Sequence, residues 1–244
     1  MPISSDQHIV ILTGAGISKE SGLDTFRDTG GIWSQVSLED VATPEAFARN
    51  PSRVQTFYNV RRRQLVTSNV EPNAAHRALA RLEEDWPARG GGTVIIVTQN
   101  IDSLHEAGGS KNIIHMHGEL LRARCLSCQR TSPWSDDLGQ GEACPRCAHV
   151  GSLRPHVVWF GEMPLFMDNI QQRLQHCALF VSIGTSGNVY PAAGFVKDAR
   201  LAGARAIELN LEPSEGATFF HETRYGPATE LIPSFVDEIL ENGI

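Results

Sequence analysis

Two cysteine pairs, Cys125 with Cys128 and, after fifteen intervening residues, Cys144 with Cys147, constrain this 244-residue chain more than any other feature. A Cys-x-x-Cys turn aims two thiols at one point, and two such turns at this separation place four thiolates around one tetrahedral Zn²⁺. Gly141 and Pro145 suit the tight loops such knuckles need. All four ligands come from the protein, so no position is open to substrate and the zinc is expected to be structural. Its loss should loosen or unfold the module it holds. Composition shifts abruptly to Cys, Gly, Ser and Pro here, which marks residues 122–153 as an inserted zinc ribbon. The fifth cysteine, Cys177, reads as a buried inert thiol, and the whole pattern suits a reducing compartment more than a disulfide scaffold.

On both sides of this insert, apolar runs alternate with helical patterns. Residues 8–12, 94–97, 157–160, 178–183 and 205–209 read as strands, and residues 44–68, 72–85, 168–176, 190–202 and 233–241 as helices. This alternation indicates an α/β protein built on a parallel sheet, whose ligands bind where the strands end. The first strand runs into Gly14, Ala15, Gly16, Ile17 and Ser18, a tight glycine turn whose backbone N–H groups suit a pyrophosphate. Lys19 stands where the third glycine of a full dinucleotide fingerprint would be, so a plain strand-to-helix turn fits equally well. Residues 21–33 are too rich in Gly, Asp and Thr for a helix and too long for a tight connection, which suggests a lid or binding segment. The run 94–97 ends in a polar burst, Thr98, Gln99, Asn100, Ile101 and Asp102. Residues 113–118 form another short strand, carrying His115 and His117 at alternate positions and hence on one face. Either histidine can be structural or catalytic on this evidence.

In the helix that begins after Asn50 and Pro51, Val54, Phe57, Tyr58, Arg61 and Leu65 share one apolar face. A guanidinium on a buried face needs an anionic partner. Tyr58 and Arg61, three residues apart, are placed to grip a carboxylate together. Arg62 and Arg63 point elsewhere and read as a solvated basic run. The whole chain is acidic, with 28 Asp and Glu against 21 Lys and Arg, which argues against direct binding of nucleic acid or an anionic membrane. No apolar run is long enough for a membrane span, and the first residues have the features of neither a signal nor a transit peptide. A cytoplasmic monomer is expected.

Taken in order, Gly14 to Ser18 by way of Ala15 and Gly16, then Thr25 with Phe26 and Arg27, Thr98 through Asp102, His117 with Gly118, the four cysteines, Trp159 with Phe160, Gly161 and Glu162, Gly184 with Thr185 and Ser186, and Asn210 with Leu211 and Glu212 resemble the sirtuins, NAD-dependent protein deacylases. The resemblance runs from about Ile9 to the last helix. It implies a Rossmann-like, doubly wound NAD domain, here residues 1–121 and 154–244, with a small zinc domain beside it. Within the larger part, residues 28–70 would be a cofactor loop and helical insert. By the same resemblance Ala15 and Ser18 approach the phosphates, and Gln99, Asn100, Ile101 and Asp102 hold nicotinamide and its ribose. Thr185, Ser186, Asn210 and Ala228 complete the phosphate and adenosine side. The family's chemistry joins the acyl oxygen of a modified lysine to the ribose as nicotinamide leaves, and the histidine before glycine, His117, is its general base. His115 would be structural. Residues 158–162, from Val158 to Glu162, would pair with the substrate backbone as an added strand. Tyr58 with Arg61 resembles the Tyr-x-x-Arg signature of the subclass that removes succinyl, malonyl or glutaryl groups, and Ala42 matches a small residue that widens its acyl pocket. The chain departs from the family pattern at Lys19, Asp24 and Asp28.

Mono-ADP-ribosyl transfer to protein would use the same NAD site and is the alternative activity. A non-catalytic zinc-ribbon binding protein fits the sheet pattern poorly. A hydride-transferring dehydrogenase lacks support because no acidic residue closes a second strand about 20 residues after the glycine turn.

Overall fold

The computed structural model describes residues 5–23, 37–68 and 70–244. The expectations for Asp24, Phe26, Arg27 and Asp28, and most of the lid segment, fall outside the described residues. In chain order, β1 (His8–Thr13) and the short α1 (Gly16–Lys19) are followed by α2 (Leu38–Val41), α3 (Pro44–Arg49), α4 (Pro51–Thr67) and α5 (Ala74–Ala88). Next come β2 (Val94–Thr98), α6 (Leu104–Ala107), β3 (Ile113–His115), β4 (Gly118–Cys125), β5 (Thr131–Pro133) and β6 (Leu153–Val157). The rest comprises α7 (Met167–Gln175), β7 (Cys177–Ile183), α8 (Phe195–Leu201), β8 (Arg205–Asn210), β9 (Glu222–Tyr225) and α9 (Ala228–Asn242).

Six strands pair in the order β3-β2-β1-β7-β8-β9, and every pairing is parallel. Counted within this sheet alone, that is the doubly wound order 3-2-1-4-5-6, with its switch point between β1 and β7. The apolar runs become strands because both faces of the sheet are covered. Ile9, Ile11, Ile96, Val181 and Ile207 face Leu79 and Trp86 of α5 and Phe235 and Ile239 of α9. The alternate residues Val10, Leu12, Val97, Phe180 and Ala206 face Leu174 of α7 and Phe195 and Ala199 of α8. Each of the Val, Leu, Ile and Phe side chains among them, fully buried, contributes roughly 1.5–3 kcal/mol. Cys177 is buried, its thiol donates to Leu174 O at 3.3 Å, and burial pushes its pKa up to about 11, which fits an inert thiol.

A second, antiparallel sheet, β5-β4-β6, carries the cysteines and runs from 118 to 157, beyond the cysteine-rich segment at both ends. β6 therefore ends where the run 157–160 was expected to begin a strand of the main sheet. The chain turns instead: Glu162 N donates to Trp159 O, Phe160 N to Ala42 O, and Gly161 has φ +91°.

Other differences have local causes. The last helix starts at Ala228 and contains Pro233, its first turn anchored by Thr229, whose N and Oγ1 donate to the Glu20 carboxylate at 3.0 and 2.7 Å. The polar edge strand β9 was not apparent from its sequence. It is held by register with β8 and by ion pairs of Glu222 with Arg205 of β8 and of Arg224 with Glu238 of α9. The helix expected over 190–202 is regular only from Phe195.

Arg62 overturns the reading of a solvated basic run. It is fully buried, its Nε donates to Leu120 O at 3.1 Å and its Nη1 to Asn59 Oδ1 at 2.7 Å. Burial lowers its pKa to about 10, so it stays charged near neutrality. Asn59 in turn donates to Leu138 O and accepts from Leu138 N, both at 2.8 Å, and Gln55 donates to Leu153 O at 3.0 Å. Residues 55, 59 and 62 form one helical stripe, so this face of α4 is fastened to the main chain of the cysteine-bearing sheet. Arg63 is exposed as expected and pairs with Asp137 at 3.1 Å.

Candidate active site

At the switch point the turns after β1 and β7 lie backbone against backbone. Gly16 N donates to Gly184 O at 2.9 Å, and a Cβ on Gly16 would stand 2.6 Å from Gly184 Cα. Gly184 has φ +61°, and a Cβ there would meet Ile17 N at 2.6 Å. Only glycine satisfies both turns. The turn thus leaves Ala15 and the start of α1 on the wall of a cleft.

The polar residues after β2 are fixed in one network. Asn100 Nδ2 donates to Gly14 O and to Ser18 Oγ, both at 3.1 Å, and Ser18 Oγ donates to Asp102 Oδ2 at 3.0 Å. Leu104 N donates to Asp102 Oδ1 at 3.0 Å. Burial raises the Asp102 pKa, opposed by these two hydrogen bonds. The Ser18 hydroxyl is 2% exposed and engaged with Asp102, so its contact here is with the acidic side chain.

Below this layer lie two histidines that sequence reasoning did not single out. Thr13 Oγ1 donates to Thr98 Oγ1 at 2.9 Å and meets His105 Nε2 at 3.0 Å, and the His105 ring packs edge-on against His76 at 5.0 Å. Burial pushes the pKa of His76 down to about 4 and that of His105 to about 3. Both folded values lie below the unfolded value of 6.5, so the unfolded chain binds more protons as pH falls below 6.5. The stabilisation is complete above pH 6.5 and is lost towards pH 4 and 3. Urea unfolding at pH 7.5 and pH 5 should show a loss of about 2 kcal/mol per histidine, and equal midpoints would refute it.

β3 ends at His115, so the two histidines do not share a strand face. Gly118, with φ +82°, starts β4 so close to β6 that a Cβ would stand 2.1 Å from His156 O. His115 Nε2 contacts Glu106 Oε1 at 2.5 Å; burial acts to lower its pKa, but the contact with Glu106 more than reverses this. His117 Nδ1 lies 3.1 Å from Gln99 O. A carbonyl only accepts, so Nδ1 carries the proton and Nε2 keeps its lone pair. Burial lowers the His117 pKa from its ordinary value and favours the neutral base.

α4 closes the other side. Tyr58 is buried, accepts a hydrogen bond from Trp159 Nε1 at 3.0 Å and has its pKa pushed up to about 12 by burial, so its own O–H remains a donor. Arg61, one turn on, stacks its guanidinium 3.5 Å from the Phe57 ring centroid and donates Nη1 to Phe57 O at 3.3 Å. Glu162 receives a two-pronged bond from Arg154 at 2.6 and 3.0 Å and another from Trp159 N at 2.8 Å. Its carboxylate thus holds the 158–162 segment in place. Arg154 also covers the Trp159 ring at 3.4 Å. Across the cleft Asn210 Nδ2 donates to Thr185 O at 2.8 Å, joining the ends of β7 and β8.

One cleft of about 570 Å³ brings these groups together. Its walls include Gly14, Ala15, Gly16 and Ser18, Gln99 through Asp102, His117, Ala42, Tyr58 and Arg61, Val158 through Glu162, Gly184 through Ser186, and Asn210 through Glu212. Ala228 is not brought to it and packs instead at the edge of the core. Sequence reasoning missed Leu23, Gln64, Val189 and Tyr190, which also line it. Gln64 lies three residues after Arg61, a helical spacing that would have revealed it; the loop residue Tyr190 offers no such periodic signal.

The four cysteine sulfurs all lie within 4.8 Å of one another. Cys125 and Cys147 Sγ are 3.7 Å apart, and Cys128 and Cys144 Sγ 3.8 Å. Four sulfurs at zinc-thiolate distance from one ion stand about 3.8 Å apart, so the donors fit tetrahedral Zn²⁺. Cys128 N and Arg146 N donate to Cys125 and Cys144 Sγ at 3.5 and 3.4 Å, which suits thiolate ligands.

Residues 14–191 match the Sir2 family. The chain belongs to it. A NAD-dependent protein deacylase, SIR2rp3 of Leishmania major, is 56% identical over 237 residues, covering 97% of each chain. A NAD-dependent protein deacylase of Pasteurella multocida is 56% identical over 232 residues, 95% of this chain and 97% of that one. Among solved structures, a Sir2 homologue in complex with NAD superposes with a TM-score of 0.85 at 34% identity, covering 97% and 91% of the two chains. A Sir2 homologue carrying 2′-O-acetyl ADP-ribose gives 0.85 at 34%, covering 97% and 93%. The Sir2 fold therefore accounts for both sheets and for the cleft between them. Among the described residues no helix is long and apolar enough to cross a membrane.

Proposed function

We propose that this Sir2 protein is an NAD-dependent protein-lysine deacylase that prefers acidic acyl groups. The observation that carries the reading is the single cleft in which the glycine turns, the Gln99 to Asp102 segment and the His117 Nε2 lone pair meet a pocket walled by Ala42, Tyr58 and Arg61. Acyl-lysine proteins or peptides are the substrates, and NAD is consumed as a co-substrate. NAD supplies the ribose carbon that accepts the acyl oxygen as nicotinamide leaves, water then frees the lysine amine from the acyl carbon, and the products are nicotinamide, free lysine and 2′-O-acyl-ADP-ribose.

The glycine turns let the main chain approach the pyrophosphate. Asn100 and Asp102, locked by Ser18, orient the nicotinamide end. His117 Nε2 withdraws a proton from a ribose hydroxyl, and the Nδ1–H bond to Gln99 O holds the required tautomer. The N–H groups of Val158, Trp159, Phe160 and Glu162 and the carbonyl of Trp159 are engaged within the chain, so pairing with the substrate main chain falls to the other carbonyls of this segment and to Gly161. We assign residues 122–153 to a zinc module that braces the cleft and the remainder to NAD binding, acting as a monomer in the cytoplasm.

A charge-assisted contact to a desolvated carboxylate is worth about 1.5–3 kcal/mol, or roughly ten- to a hundredfold. Arg61→Met should therefore lower the ratio of succinyl- to acetyl-peptide turnover by that factor. An unchanged ratio would remove the acidic-acyl assignment. The pocket beside His117 favours deacylation over mono-ADP-ribosyl transfer, and mass spectrometry separates the two: transfer would leave ADP-ribose on the protein instead of free acyl-ADP-ribose.

A further inference from the structure

A second cavity, of about 300 Å³, adjoins the cleft and shares Val157, Val158 and Glu162 with it, while Arg124, Arg154, Pro155, His156, Met163 and Leu165 form its other walls. We propose that this cavity receives the carboxylate side chain of an acidic residue directly next to the acyl-lysine in the substrate chain. The inference rests on the deacylase reading and adds a sequence preference to it.

The first argument is charge. The protein as a whole carries a formal −7, yet Arg124 and Arg154 both face this cavity. Its acidic wall residue, Glu162, is already bound by Arg154. Arg122, on the same strand as Arg124, lies 3.5 Å from Glu119. Arg124 Nη2 donates to the neutral amide oxygen of Gln129 at 2.6 Å, and among the described residues no carboxylate pairs with it. The positive field has a second witness in His156, whose pKa is pushed down to about 4 by burial and by Arg122, Arg124 and Arg154. His156 is therefore neutral near pH 7, and Arg124, whose charge is felt by Glu162 but meets no carboxylate at ion-pair distance among the described residues, is the guanidinium open to a further anion.

The second argument is geometric. An extended substrate backbone, held by the open carbonyls of the 158–162 segment, sends successive side chains to opposite faces. When the acyl-lysine enters the cleft, its immediate neighbours turn away from it, and this second cavity shares three wall residues with the cleft. Pro155, Val157 and Leu165 offer apolar contact to side-chain methylenes, and Met163, 76% exposed, forms an open rim. A Glu or Asp side chain would meet apolar walls along its stem and a guanidinium at its tip.

The test uses acyl-lysine peptides with Glu, Ala or Lys at each adjacent position, at saturating NAD. The Glu peptide is expected to show a KM about three- to tenfold below that of the Ala peptide, with Lys above both, and the spread should shrink with added salt. Arg124→Glu should invert the order while leaving kcat on the Ala peptide unchanged. Equal KM values for the three peptides, or an Arg124→Glu effect of one common factor on all of them, would overturn the proposal. Failure of every peptide to turn over, the Ala peptide included, would instead overturn the deacylase reading on which it stands.

Discussion

His117→Ala should lower turnover of acyl-peptide by about 10²- to 10⁴-fold, the range a positioned general base contributes, with zinc content and melting behaviour intact. The structure gives three reasons. The ring is tied by Nδ1 to Gln99 O, which leaves Nε2 as the basic atom on the cleft. Burial depresses its pKa below the ordinary 6.5, so the reactive neutral form dominates near pH 7. The residue sits in a turn between β3 and β4 and lines the cleft, outside the regular strands of the sheet. In the wild type, activity should be level above pH 6.5 and fall as pH drops through the depressed pKa. His117→Ala should lose that acid limb together with the rate. A loss of less than tenfold, or an acid limb that persists in the variant, would assign the base elsewhere.

The sheet was legible because its interior strands are continuous apolar runs, and runs such as Ile95, Ile96 and Val97, alternating with helical patterns, suit a sheet covered on both faces. The polar closures after β1, β2, β7 and β8 likewise announced the cleft, since all four strands end on the same side of a parallel sheet. What escaped was structure held by long-range partners. β9 is polar and takes its place from ion pairs with Arg205 of β8 and Glu238 of α9, which no local pattern encodes. Arg62 looked solvated because its neighbours Arg61 and Arg63 made a basic run, yet its partner is the main chain of Leu120, 58 residues away. The run 157–160 is apolar enough for a strand, but the side chain of Glu162 folds it into a turn. His105 shows the same limit: its burial depends on Thr13, 92 residues earlier. Periodicity reads one element at a time, and these residues are defined by pairs of elements.

Cys125→Ala should abolish activity by a different route, through loss of folded structure. Cys125 is fully buried at the end of β4, and its sulfur lies 3.7 Å from Cys147 and 3.1 Å from Ser152 Oγ. Structural zinc in small modules contributes on the order of 10 kcal/mol or more to folding, comparable with the whole stability of a domain. The little core of Ala123, Leu138 and Leu153 around the cysteines is too small to replace it. The damage should reach the acyl pocket through α4, because Gln55, Asn59 and Arg62 hold that helix to carbonyls of Leu153, Leu138 and Leu120. Tyr58 and Arg61 project from the same helix, so their placement depends on those anchors. Zinc analysis, melting curves and hydrogen exchange distinguish this outcome from the His117 variant. Cys125→Ala should show no bound zinc, a lower melting temperature and fast exchange in β4, β6 and α4, with exchange in β1, β2 and β7 still slow. A Cys125→Ala protein that melts and turns over like the wild type would show that the four cysteines are not the brace of this cleft. The contrast between the two variants would separate chemistry from support, since the proposed roles put His117 on the substrate and the cysteines beneath the helix and strands that wall the cleft.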